Sequence, residues 1–169
     1  MKELIVKRLE QRGVSIREIA DLVYKLQSPY DDTITMDKCI DSVDQVLNKR
    51  EVQYTLLTGI ALDKLTEQGA VEEPLASIIE RDEPLYGVDE SLALAIANIY
   101  GTIGFTSFGY LDKNKIGVMK KLDTIKGEQV NTFIDDLVAG IAAAAAARIA
   151  HQKRSEEEAE EELTQKEVS

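Results

Sequence analysis

Tryptophan is absent from this 169-residue chain, and aromatic residues make up only 5% of it. Aliphatic side chains and alanine must therefore fill the core, which favours close helix packing over a sheet sandwich. Cys39 is the single cysteine. That excludes an internal disulfide and suits a reducing, cytoplasmic compartment. Positive charge is scarce: 20 Lys and Arg stand against 31 Asp and Glu, for a net charge of −11. Nucleic-acid binding needs clustered cations to displace counterions, so this balance argues against it. It equally argues against simple electrostatic docking on anionic lipid. An acidic chain is compatible with divalent cations. The N-terminal residues turn charged at once (Met1-Lys2-Glu3), without the apolar stretch of a signal peptide.

One long uncharged stretch exists, Ser91 to Leu111, about the length of a membrane-spanning helix. It holds Asn98, Thr102, Thr106, Ser107 and three glycines. Gly101-Thr102-Ile103-Gly104 reads as a break between two shorter buried helices, so no transmembrane segment is expected.

What is present is helical periodicity. Ser15-Ile16-Arg17-Glu18 is a capping-box signature. The helix it opens aligns Ile16, Ile19, Ala20, Val23 and Leu26. Thr35 is placed to cap a third helix, with Cys39, Ile40, Val43, Val46 and Leu47 inward; in such a stripe Cys39 reads as a small buried side chain, not a nucleophile. A fourth runs from about Glu51 to Gln68 and predicts Leu56, Leu57, Ile60, Ala61 and Leu65 inside. Pro74 suits the first turn of a short helix. Leu92 to Tyr100 and Leu137 to Ala147 are apolar on nearly every side, as expected of buried central helices. The fold expected is all-α, a compact bundle of about six to eight helices with a buried central helix. Residues 1–152 form its single domain, and 153–169, rich in Glu, a polar helix extension or tail.

Two of these apolar helices open with adjacent acids: Asp89-Glu90 before Ser91, and Asp135-Asp136 before Leu137. Acids at helix N-termini are favoured by capping and by the macrodipole, which explains either pair alone. Two such pairs can also meet at one end of a bundle. Carboxylates gathered there repel unless a cation neutralises them, and oxygen-only ligands suit Mg²⁺, Mn²⁺ or Ca²⁺ over zinc. Asp112 and Asp123 lie on the segments between.

The ordered set Asp89-Glu90, Leu111-Asp112 with Lys115, Asp123, and Asp135-Asp136-Leu137-Val138-Ala139-Gly140 resembles the phosphatidylglycerophosphatase A family. The resemblance covers roughly Leu56 to Ala147 and is to the soluble, low-temperature-requirement C-like branch of Gram-positive bacteria. It implies a Mg²⁺-dependent phosphatase that converts phosphatidylglycerophosphate to phosphatidylglycerol. It implies further that Asp89, Glu90, Asp112, Asp135 and Asp136 hold the metal, or another divalent cation. Asp112, Asp135 and Asp136 would be catalytic, with Lys115 and Lys120 meeting the phosphate. Lys113 and Lys121 are further cations near these positions. The substrate implied is a phosphorylated lipid or small phosphomonoester, reached by peripheral contact at the inner face of the cell membrane. The chain departs from membrane-bound members: it lacks their early Pro-Gly-Thr-x-Gly-Ser stretch, has Ile116-Gly117-Val118 for their Pro-x-Pro, and Glu128-Gln129 for their Gly-Gly. Those departures favour an alternative, a non-enzymatic regulatory or assembly protein that keeps the fold and forms a homo-oligomer; its Ala-rich last helix could serve subunit contacts, although plain core packing is the favoured account of that helix. A helix-turn-helix opening at Ser15 is disfavoured, because Asp31, Asp32, Asp37, Asp41 and Asp44 crowd the next segment.

Overall fold

Local chemistry starts the early helices where the sequence places them. Ser15 Oγ accepts from the Glu18 amide at 3.2 Å while Glu18 Oε2 accepts from the Ser15 amide at 2.9 Å, a complete capping box. Thr35 Oγ1 accepts from the Lys38 amide at 3.3 Å and opens the next helix. In this computed structural model, residues 1–124 and 129–167 are described. Glu128 lies outside them, as do residues 168 and 169 of the acidic tail.

The described residues form nine α-helices. These are α1 (Lys2–Gln11), α2 (Ile16–Gln27), α3 (Met36–Leu47), α4 (Arg50–Glu67), α5 (Leu75–Glu80), α6 (Val88–Ala97), α7 (Ile103–Asn114), α8 (Val118–Thr124) and α9 (Ile134–Glu167). A 3₁₀ turn, Asn98–Tyr100, joins α6 to α7. The bundle is all-helical, as expected, and the count exceeds the expected range because the short α8 was not legible as a separate helix. No described helix is long and apolar enough to cross a membrane. The acidic stretch continues α9 to Glu167, and residues 154–165 of it face solvent.

The N-terminal half of α9 is the central helix. Every residue from Phe133 to Ala147 is buried, and α2, α3, α4, α6, α7 and α8 all pack against it. Alanine here combines high helix propensity with a thin profile, so neighbours approach from all sides. The α6 segment was expected to be equally central, but Ser91, Ala95 and Asn98 are exposed. It flanks α9 on one face only. Likewise α7 was expected to be buried, yet its outer face leaves Ile103, Phe105 and Tyr110 exposed. An uncharged stretch reports low polarity, not burial.

Close backbone approaches set the helix registers. A Cβ on Gly140 would lie 2.7 Å from the Ala93 carbonyl oxygen, and one on Gly104 would lie 2.0 Å from that of Ala97. A Cβ on Gly59 would lie 2.5 Å from Leu137 Cδ1. One turn before Gly140 and Ala93 stand Asp136 and Asp89, which also come together, so α6 and α9 run parallel with both N-termini at one end. In α4 the expected inward positions are only partly correct. Leu56 and Ile60 are buried, but Ala61 is exposed and Leu65 is 41% exposed. Asp63 and Thr66 take the inward places. The stripe Leu56, Ile60, Asp63, Thr66 keeps helical spacing, and its third member is a carboxylate that a hydrophobicity count places outside.

Candidate metal centre

The parallel alignment of α6 and α9 brings two helix N-termini, with their unpaired amides and positive dipole ends, to one spot. Asp89 and Glu90 sit in the first turn of α6, Asp135 and Asp136 in that of α9. Asp89, Glu90 and Asp136 each offer a carboxylate oxygen, and the three oxygens lie within 4.8 Å of one another. Asp89 is 6% exposed and Asp136 4%. Asp89 Oδ1 and Glu90 Oε2 are buried without a hydrogen-bond partner. A buried, unpartnered carboxylate oxygen is costly, and a cation is the usual remedy. The donor set is all oxygen, which fits Mg²⁺, Mn²⁺ or Ca²⁺.

The other two expected ligands are held differently. Lys115 Nζ donates to Asp112 Oδ1 at 2.7 Å and to Asp135 Oδ2 at 2.9 Å, and stands 3.8 Å from Asp136 Oδ1. Asp135 Oδ1 in turn accepts from the Asp136 amide at 2.8 Å. The five acids thus divide into a three-carboxylate group and a lysine-bridged pair beside it. Lys115 follows α7 with φ of 43°, a left-handed conformation that turns its side chain back to the acids. Lys120 is exposed on α8, Lys113 is exposed in the last turn of α7, and neither joins the hydrogen bonds described among these acids. Lys121 donates to the Gly13 carbonyl at 2.6 Å and pairs with Glu18 at 3.6 Å. Asp123 lies with Asp135 on a small cleft of about 60 Å³, together with Arg81, Asp82 and Thr132.

Electrostatics follow from burial and crowding. Burial, reinforced by Asp135, raises the Asp136 carboxyl far above its ordinary value. Burial and Glu90 raise that of Asp89. Asp135 is also raised by burial, with Lys115 opposing. Burial works against the Lys115 charge, but Asp135 and Asp112 outweigh it and raise its pKa. Metal-free, the group favours protons on its acids; a divalent cation would displace them.

Two contributing residues carry no strong sequence signal. Tyr86 packs edge-on against Phe133, ring centroids 5.9 Å apart, and its hydroxyl is raised by burial and by Asp89. Asp63, fully buried on α4, accepts from the Phe133 amide at 3.1 Å and the Ile134 amide at 3.0 Å. Burial pushes its carboxyl up to about 7, against those two amides. A lone acid inside the apolar phase of α4 is the one hint of it in the sequence.

Fold and site together define an all-helical protein with a carboxylate centre, suited to a hard divalent cation, at the joined N-termini of two parallel helices. The family model of Phosphatidylglycerophosphatase A matches residues 5–151, and the chain belongs to that family. It is 48% identical over 168 residues to YpjQ of Bacillus subtilis, covering 99% of this chain and 94% of that protein. It is 51% identical to YutG of the same organism over 150 residues, 89% of this chain and 90% of YutG. The crystal structure of the low temperature requirement C protein from Listeria monocytogenes superposes with a TM-score of 0.88 at 50% identity, covering 90% of this chain and 96% of that one. A Bacillus stearothermophilus structure gives a TM-score of 0.87 at 54% identity, covering 90% and 94%.

Proposed function

We propose that this chain is a phosphatase that hydrolyses a phosphomonoester with a divalent cation, Mg²⁺ first among the candidates, held by Asp89, Glu90 and Asp136. The observation that carries the reading is the pair of buried, unpartnered oxygens, Asp89 Oδ1 and Glu90 Oε2, aligned with Asp136. Family membership points to phosphatidylglycerophosphate as substrate and phosphatidylglycerol as product. A cation in this place supplies Lewis-acid polarisation of phosphoryl oxygens.

The chain's own residues divide the remaining work. Lys115, charged and fixed by Asp112 and Asp135, balances negative charge on the phosphoryl group as it approaches. Asp135, buried and tied by two hydrogen bonds, orients that lysine. Asp112 has a 40% exposed side chain and faces solvent, where it can take the proton of an attacking water. The O–P bond to water forms, the ester P–O bond breaks, and that proton passes on to the leaving alkoxide. A lipid substrate would be met by peripheral contact at the inner membrane face, with the protein cytoplasmic.

The test is hydrolysis of phosphatidylglycerophosphate and soluble phosphomonoesters by the purified chain, with and without Mg²⁺. Turnover that requires the metal and is lost in Asp89→Asn, with the helical content intact, is the expected result. Asp89→Asn acting as well as wild type would refute the site. Turnover absent with every divalent metal would favour the helical assembly module, to which the missing Pro-Gly-Thr-x-Gly-Ser stretch also points.

A further inference from the structure

The five residues that precede the Asp135-Asp136 pair are held by several separate parts of the molecule. Glu67 Oε1, at the end of α4, accepts from the Val130 amide at 2.8 Å and from Arg12 Nη1 at 2.7 Å. Arg12 Nη2 donates to the Val130 carbonyl and, at 2.9 Å, to Asn131 Oδ1. Asn131 Nδ2 donates to the Leu122 carbonyl at 3.0 Å, and Thr132 Oγ1 donates to that of Ile79. Asp63 then accepts from the amides of Phe133 and Ile134. These amides belong to the start of α9, whose first N–H groups have no partner within the helix. Asp63 supplies the cap from another helix. One turn before it on α4, Gly59 lets the backbone come against Phe133 and Leu137.

We infer that Asp63 is a positioning residue: its carboxylate fixes where α9 begins and thereby sets the spacing of Asp136 from Asp89 and Glu90. The inference rests on the metal-centre reading above for its functional meaning. A group behind the ligands that holds them in place typically changes metal affinity by about 10- to 100-fold when removed.

The test uses Mn²⁺ alone as probe, with the full chain as wild type, Asp63→Ala, Asp63→Asn and Ser42→Ala. Ser42 donates a buried hydrogen bond to the Ala145 carbonyl, on the same helix but three turns from the acids. It therefore reports the effect of merely weakening the α9 packing. Expected are a Mn²⁺ dissociation constant raised roughly tenfold or more in Asp63→Ala, a smaller rise in Asp63→Asn, and little change in Ser42→Ala. Amide hydrogen exchange at Phe133 to Asp136 should accelerate in the Asp63 variants and not in Ser42→Ala. Should Asp63→Ala fail to fold, Asp63→Asn, which keeps the shape and one acceptor, decides. Unchanged Mn²⁺ affinity in folded Asp63 variants overturns the inference, as does unchanged exchange. If wild type itself binds no Mn²⁺, the metal-centre reading falls, and the exchange data alone decide whether Asp63 anchors the helix.

Discussion

Replacing Asp136 by Asn should make the metal-free protein more stable while removing its cation affinity. Burial and Asp135 push the Asp136 carboxyl from 3.8 up to about 9. At pH 7 the folded state therefore holds a proton that the unfolded chain has released. Because the folded pKa is the higher one, stability falls as pH rises from the ordinary carboxylate value through the folded one. Between about 3.9 and 7 there are roughly three pH units, each worth about 1.4 kcal/mol, so the ceiling is ~4 kcal/mol. Asp135 and Lys115 share in the titration, and relaxation of the site reduces the cost further, leaving about 1–3 kcal/mol for Asn to recover. In a domain of this size that is a gain of roughly 3–9 °C in melting temperature. The assay is thermal unfolding by circular dichroism in chelator, from pH 4 to pH 8. The two proteins should converge near pH 4 and diverge above it. With Mg²⁺ at about 100 times its dissociation constant, wild type alone should gain ~2.7 kcal/mol. A variant no more stable than wild type at pH 7, or a difference that does not shrink toward pH 4, would refute the reasoning.

Gly140→Ala should cost about 1–3 kcal/mol, since its Cβ would press on the Ala93 carbonyl, and should weaken Mn²⁺ binding by parting α6 from α9; denaturant melts and a Mn²⁺ titration check both. Lys115→Ala should destabilise the metal-free protein by ~1–3 kcal/mol at pH 7, leaving Asp112 and Asp135 without their cation. The raised Lys115 pKa means that its contribution as a cation is fully present below about 10.4 and starts to decline above it, so a melt series to pH 11 should show the gap between wild type and variant beginning to narrow only above about pH 10.4. Ser15→Ala should cost about 1 kcal/mol by removing the capping box of α2, with Mn²⁺ affinity unchanged.

Much of the architecture was legible because its causes are local. Ser15, Thr35 and the apolar stripes of α2 and α3 act over one or two turns, so spacing alone reveals them. The acids proposed for the site drew notice for a different reason: adjacent carboxylates at the heads of apolar helices form an ordered pattern that resembles one family's. What spacing missed was phase and depth. Asp63 was absent from the inward positions expected on α4, because a hydrophobicity count has no way to know that two amides of a distant helix need it. Ile103, Phe105 and Tyr110 looked interior because they carry no charge, but whether an uncharged face is covered depends on which neighbours reach it.

The starts of α2 and α3, the all-α class and the acidic balance were determined by the sequence itself, because capping, periodicity and charge act between residues near in the chain. Which helix became the centre, and which three of the five acids came within 4.8 Å of one another, only the tertiary structure decided. Those outcomes depend on backbone approaches such as Gly140 against Ala93 and on the capping of α9 by Asp63, contacts between residues 47 and 70 positions apart whose register no local rule contains.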